Sequence, residues 1–258
     1  MLRIALNGSL GRMGRMVLQA AEQDPEVRVD ALLERPGHPE IGRRVATPWG
    51  DRVVLADPRE TPEVDVAIDF SRPEGALTLA RALAPRGIPL LIGTTGTSPE
   101  DREELARLAV HVPILLASNT SLGVHVTREL ARLARQLLGP DYDVEILEVH
   151  HRHKSDAPSG TALALADVLG EGREVRRVFG REGTCGPRSP DEMGVMALRG
   201  GEVVGDHTVF FLGEHDRIEI THRAASRMVL ARGALALARR LPGWPPGMVD
   251  LREVWNRR

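Results

Sequence analysis

The sequence predicts an α/β protein of two domains: a parallel sheet crossed by helices in the first half, and an α+β domain with a mixed or antiparallel sheet in the second. Three observations carry this. Short apolar runs alternate with longer amphipathic stretches through the first half. A glycine-rich turn joins the first apolar run to the first amphipathic stretch. Beyond Asp143 a polar cluster and one helical stretch give way to apolar runs separated only by turn residues. At 258 residues the chain is long enough for two cores of ordinary size.

Taken in order, residues 3–7 read as a strand and 12–22 as the helix after it, with further strands over 27–34, 53–56, 64–70, 88–92 and 112–117. Three of these end in small polar residues: Asp69-Phe70-Ser71-Arg72-Pro73, Gly93-Thr94-Thr95-Gly96 and Ser118-Asn119-Thr120-Ser121. Ligands of an open parallel sheet bind at the carboxyl ends of its strands, where such loops lie, so the first half reads as a binding domain. In the second half the polar cluster His150 to Lys154 precedes a helix over 159–169. Apolar runs at 195–199, 203–212 and 217–222 then follow, with Gly200-Gly201 and residues 213–216 as joints. Such joints read as hairpin turns. The edges of this sheet need cover, which another subunit would supply. A last helix over 226–241 leads into a Pro/Gly-rich segment.

Composition narrows the function classes. Lys+Arg number 34 against 36 Asp+Glu, a net charge of -2, so no basic field invites nucleic acid. A small molecule is the better partner. The single cysteine, Cys185, excludes an intramolecular disulfide and suits a reducing compartment; no base neighbours it in sequence, and it reads as a bystander. The first residues carry glycines and arginines where a secretory signal needs an apolar core, and no run approaches the roughly 20 apolar residues of a membrane helix. A soluble, cytoplasmic protein is expected. Lys154 is the only lysine, and every other cationic side chain besides histidine is arginine. Either the site at 154 requires a primary amine or an arginine-rich composition left one lysine by chance.

Gly8-Ser9-Leu10-Gly11-Arg12-Met13-Gly14 stands between the first strand and the first helix. There glycines let the backbone approach a pyrophosphate at a helix N-terminus, although the spacing is GxxGxxG and a ligand-free turn has the same look. Glu34, 20 residues after Gly14, closes the second apolar run where an acid accepts hydrogen bonds from an adenosine ribose. Arg35 follows and could meet a 2′-phosphate instead, so NADH and NADPH both remain open. The second constellation runs from Glu148 through His150-His151-Arg152-His153-Lys154 to Asp156-Ala157-Pro158-Ser159-Gly160-Thr161-Ala162. Three histidines, an arginine and a lysine ahead of a helix N-terminus describe a pocket for carboxylates. A metal site is the rival reading, opposed by the neighbouring cations and the lack of a second ligand cluster; a solvated basic loop is the plain one.

On these residues the sequence resembles the bacterial dihydrodipicolinate reductases, also called 4-hydroxy-tetrahydrodipicolinate reductases, over nearly its whole length. The resemblance rests on Gly11-Arg12-Met13-Gly14, Asp69-Phe70-Ser71-Arg72-Pro73-Glu74, Gly93-Thr94-Thr95-Gly96, Ser118-Asn119-Thr120-Ser121 and, most specifically, the run from His150 to Ala162. It implies a Rossmann-like cofactor domain over 1–121, completed by 231–258, and a substrate-binding and tetramer-forming domain over 122–230. It also implies reduction of a doubly carboxylated imine ring in lysine and diaminopimelate biosynthesis, by a homotetramer.

Position by position, the resemblance implies His150 as proton donor and Lys154 as its catalytic, substrate-orienting partner. His151, Gly160 and Thr161 would hold the substrate. Gly8, Ser9, Leu10, Gly11, Arg12 and Met13, with Glu34, Arg35, Gly93, Thr94, Thr95, Ala117, Ser118, Asn119 and Thr120, would hold NADH or NADPH. No metal is expected. The family often has an aromatic residue where Thr120 stands. An imidazole suits proton donation because its ordinary pKa of about 6.5 lies near working pH. The runner-up is a related dehydrogenase of another small carboxylated substrate, and a third reading is a nicotinamide-sensing module without turnover, which would need neither proton donor nor lone lysine.

Overall fold

The computed structural model describes residues 1–257, so Arg258, at the end of the expected segment 231–258, lies outside the described residues. The elements run β1 (Leu2–Asn7), α1 (Arg12–Glu22), β2 (Val27–Leu33), β3 (Arg44–Val45), β4 (Arg52–Leu55), β5 (Val66–Asp69), α2 (Pro73–Leu83), β6 (Leu90–Ile92), α3 (Pro99–Leu108) and β7 (Pro113–Leu116). After them come α4 (Leu122–Leu138), β8 (Asp143–His150), α5 (Gly160–Leu169), β9 (Arg176–Val178), β10 (Glu192–Arg199), β11 (Asp206–Leu212) and β12 (Arg217–Arg223). The chain closes with α6 (Met228–Ala238), β13 (Gly247–Val249) and α7 (Leu251–Asn256). Two compact units result, one comprising Met1–Ser121 with the chain from Arg227 onward, the other Leu122–Ser226.

The first unit is built on a sheet of order β13-β7-β6-β5-β1-β2-β4-β3, parallel throughout except for the β3–β4 pair. Its central strands, β5 and β6 among them, are buried on both faces, which is why they read as continuous apolar runs, while the outer β3, β4 and β13 are only partly buried. Ile4 and Leu6 point into one core, shared with Val17 of α1 and with Ala234 and Leu237 of α6, whereas Ala5 points into another, shared with Leu79 of α2 and Leu105 of α3. From β1 the chain winds first toward β2 and later returns to β5 on the other side, so the strand order reverses at β1. In an open α/β sheet that reversal opens a crevice at the carboxyl ends.

The second unit has a five-stranded sheet of order β12-β11-β8-β10-β9, in which β11 runs antiparallel to β8 and β12, while β10 runs parallel to both β8 and β9. Of the two hairpins expected, only the one joining β11 to β12 forms. The runs either side of Gly200-Gly201 are not partners, because β8 lies between β10 and β11. One face of this sheet packs Val144, Ile146, Val195, Val209 and Phe211 against Ala162, Leu165, Ala166 and Leu169 of α5 and Ala131 of α4. The other face leaves Leu147, Val149, Met196 and Phe210 half-buried and Leu198 exposed. Among the described residues no helix is long and apolar enough to cross a membrane.

Candidate active site

Glycine is required in the β1–α1 turn for two reasons. Gly8 sits at φ +70°, and a Cβ there would stand 2.5 Å from the Phe70 carbonyl oxygen; at Gly14 it would stand 2.1 Å from the Gly8 carbonyl oxygen. The turn is thereby pressed against the β5 loop and capped closely by α1. Glu34, at the end of β2, accepts the Leu10 N–H through Oε1 at 2.8 Å, which sets a carboxylate beside the turn. Gly11, Arg12, Arg35 and Thr95 are exposed, Leu10 and Met13 half-buried. Backbone amides at the start of α1, two guanidinium-bearing side chains and one acid at the carboxyl ends of β1 and β2 fit the diphosphate and ribose of a dinucleotide.

Several residues expected at that crevice turn inward. The Ser9 hydroxyl donates to the Leu33 carbonyl at 3.2 Å. The Thr94 hydroxyl donates to Asp69 at 2.5 Å, and the Thr120 hydroxyl to the Leu230 carbonyl at 2.7 Å, so these side chains brace the loops. Gly93 and Ala117 are buried and Ser118 is exposed, while Asn119 accepts the Ser121 N–H at 2.9 Å. Asp69 itself is wholly buried and also takes hydrogen bonds from Asn7 at 2.7 Å and Ser71 at 2.5 Å. Burial pushes its carboxyl above the ordinary range, against the pull of these three neutral donors.

In the second unit, strand register assembles the charged site. On the core-facing side of the sheet Glu148 pairs with His207 of β11, and His150 with Arg199 of β10. Glu148 is wholly buried and accepts three N–H groups, Arg199 through Nη1 and Nη2, each at 2.8 Å, and the Ser159 N–H at 2.9 Å, while His150 Nδ1 lies 2.5 Å from its Oε2. Burial raises the Glu148 carboxyl, but Arg199, then His150 and the Ser159 N–H, outweigh it and hold the group below the ordinary carboxylate range. The pair in turn raises the Arg199 guanidinium.

Ser159 caps α5, its Oγ accepting the Ala162 N–H at 3.2 Å and lying 3.0 Å from His207 Nε2. Gly160 and Thr161 open the helix, and a Cβ on Gly160 would meet nothing within 4 Å, so the space beside Gly160 is open. The His207 ring stands edge-on to His150 with centroids 5.2 Å apart. Burial, and then the neighbouring His150, depress His207 to about 4, which keeps it neutral near pH 7. Lys154 reaches both oxygens of Asp156, at 2.8 and 2.9 Å. His151 is half-buried, its ring 6.1 Å from that of His153.

The sequence named Glu148 only as the head of the second constellation, with no role of its own, and offered nothing for Arg199 and His207. Glu148 stands two residues before His150, on the same side of any strand that contains both, and that spacing was the available signal. Arg199 is 51 residues away from its partner and announces nothing. Among the described residues no group of three or more His, Cys, Asp or Glu is placed to hold a metal.

Comparison with known proteins adds the following. Residues 2–120 match the family model described as dihydrodipicolinate reductase, N-terminus, and residues 123–255 the one described as dihydrodipicolinate reductase, C-terminus. The chain is 43% identical over 263 residues to a 4-hydroxy-tetrahydrodipicolinate reductase of Anaeromyxobacter dehalogenans, covering 98% of this chain and 97% of that one. It is 41% identical over 261 residues to one of Thiobacillus denitrificans, covering 98% of each. Among solved structures, a dihydrodipicolinate reductase from Paenisporosarcina sp. TG-14 with dipicolinate bound superposes with a TM-score of 0.76 at 22% identity, covering 98% of this chain and 99% of that one. An amine dehydrogenase from Mycobacterium smegmatis shares the fold at TM-score 0.68 and 13% identity, covering 97% and 95%.

Proposed function

The chain belongs to the dihydrodipicolinate reductase family, and from that premise we propose the division of labour by which it reduces 4-hydroxy-tetrahydrodipicolinate to tetrahydrodipicolinate. NADH or NADPH supplies the hydride. The observation that carries the assignment of roles is the seating of His150: one ring nitrogen is anchored to a buried carboxylate, in a cluster that stands at the N-terminus of α5.

His150 gives the proton that the reduced ring needs. Lys154 orients the substrate, its ammonium exchanging Asp156 for a substrate carboxylate of the same chemistry. His151, Gly160 and Thr161 hold the second carboxylate, where the α5 N-terminus favours negative charge. In the first unit the turn from Gly8 to Met13 takes the cofactor's diphosphate. Glu34 faces the adenosine ribose, Arg35 accommodates a 2′-phosphate, and Gly93 to Thr95 with Ala117 to Thr120 line the far end. Ser9, Thr94 and Thr120 act there through backbone and shape, their hydroxyls being occupied.

The two flanks of this pairing invite both cofactors. The enzyme works in the cytoplasm as a homotetramer, assembled through the face of the second sheet that leaves Leu147, Met196, Leu198 and Phe210 uncovered.

The test is loss of absorbance at 340 nm with NADH or NADPH and the freshly made substrate. Wild-type protein consumes the cofactor, and His150→Gln loses about 10²- to 10⁴-fold in turnover with cofactor affinity intact. Unchanged turnover in His150→Gln would pass the donor's role to His151 or His153.

A further inference from the structure

We infer that Glu148 is the positioning residue that makes His150 a donor through Nε2, by fixing a hydrogen on Nδ1; the inference rests on the reading of His150 as the proton donor. Three N–H donors converge on the Glu148 carboxylate apart from His150, and two of them belong to one guanidinium, bound in the fork geometry that suits an ionised acid. Arginine keeps its proton at any working pH, so Glu148 faces a permanent cation and stays ionised although buried. An ionised carboxylate only accepts. The 2.5 Å contact with His150 therefore has the hydrogen on Nδ1 whether the ring is charged or neutral.

The other ring nitrogen is left for chemistry. A Cβ on Gly205 would come within 2.9 Å of His150 Nε2, so glycine at that position keeps the space beside this atom clear. The proton balance then closes. The charged ring breaks its Nε2–H bond and keeps the electron pair, the proton bonds to the anionic ring left by hydride addition, and the imidazole ends neutral with its remaining hydrogen still on Nδ1. A ring whose Nδ1 instead accepted a hydrogen bond would carry its only hydrogen on Nε2 when neutral, and giving that away would leave an imidazolate. Arg199 and the Ser159 N–H act one step further out, keeping Glu148 in the form that can only accept.

The experiment pairs one variant with one measurement on the unaltered protein. Glu148→Gln is near-isosteric but can turn its amide N–H toward Nδ1, so turnover should fall at least about 100-fold, while the substrate KM moves less than threefold and NADH affinity stays unchanged. Histidine ¹⁵N spectra of the wild type, assigned with His150→Gln, should show the neutral His150 ring hydrogenated on Nδ1. In Glu148→Gln the hydrogen should sit on Nε2. Wild-type turnover in a folded Glu148→Gln, or a wild-type ring hydrogenated on Nε2, overturns the inference; if Glu148→Gln does not fold, the wild-type spectrum alone decides. Full turnover in His150→Gln would break the underlying assignment instead, and the two failures are thus told apart.

Discussion

Among the described residues two side-chain carboxylates are wholly buried, and they are treated in opposite ways. Asp69, at the end of β5, is surrounded by Asn7, Ser71 and Thr94, all neutral, and burial lifts its carboxyl above the ordinary range. Glu148, near the end of β8, meets a guanidinium, an imidazole and a helix N–H, and is held below that range. The first arrangement ties together three loops that end parallel strands, and whether it is charged matters little to that task. The second holds a charge in place beside the imidazole proposed as the proton donor. Burial alone therefore says nothing about role; the charge of the partners does.

The sharpest way to break this contrast is Arg199→Met. It strands the Glu148 carboxylate without its permanent cation, and loss of one partner of a buried pair costs about 3–5 kcal/mol. Urea unfolding at pH 7 measures it, and a loss under 1 kcal/mol would mean that the pair is not needed to hold the charge.

His207 sharpens the contrast through pH. Its pKa is lowered to about 4 in the folded chain against about 6.5 when unfolded, so between those values the unfolded state binds the extra proton. The contribution is fully present above about pH 6.5, declines as pH falls toward 4 and is then lost, amounting to about 3 kcal/mol. Unfolding free energies at pH 7 and pH 4.5 should differ less in His207→Asn than in the wild type. An identical pH dependence would remove His207 from the account.

Lys154→Arg separates charge for chemistry from charge for folding. The Lys154–Asp156 pair is solvent-exposed at the acid and contributes little to stability. A planar guanidinium does not reproduce a compact ammonium at a tight site. Turnover should fall by about tenfold, or 1.4 kcal/mol of barrier, with the melting temperature unmoved. Normal turnover would make the lone lysine a compositional accident.

The smallest effect is expected for Asp69→Asn. The Ser71 and Thr94 hydroxyls can rotate to accept what the new amide donates, so stability at pH 7 should change by no more than about 1 kcal/mol. A loss as large as that of Arg199→Met would erase the distinction between the two carboxylates.

The same two regions show what could be read from sequence. The parallel strands β1, β2, β5, β6 and β7 were legible because burial on both faces makes them apolar runs, and the glycine turn because close packing at Gly8 and Gly14 admits no side chain, whereas the half-exposed β13 lay in a segment that reads only as Pro/Gly-rich. Strand β8 was not legible, since its alternation is inverted near the end: Glu148 and His150 point into the protein while Leu147 and Val149 face outward, and the segment reads as a polar cluster. With β8 unseen, the runs around Gly200-Gly201 read as neighbours. The motif from His150 to Lys154 pointed to the cluster at the start of α5. Arg199 and His207 could not be found as its neighbours, because they reach it through sheet register and not through sequence spacing.

The return of the chain from Arg227 to complete the first unit has a consequence for biosynthesis. The core around Ile4 and Leu6 includes Leu235, Leu237, Leu241 and Val254, which a ribosome delivers after all of the second unit. Leu122–Ser226 is by then already made, and has every strand of its own sheet. The unit that holds β1 is therefore the one that finishes folding later, its early strands waiting with one face uncovered until the segment from Arg227 has emerged. A nascent chain stalled after Ser226 should protect the second unit from protease and leave the first exposed.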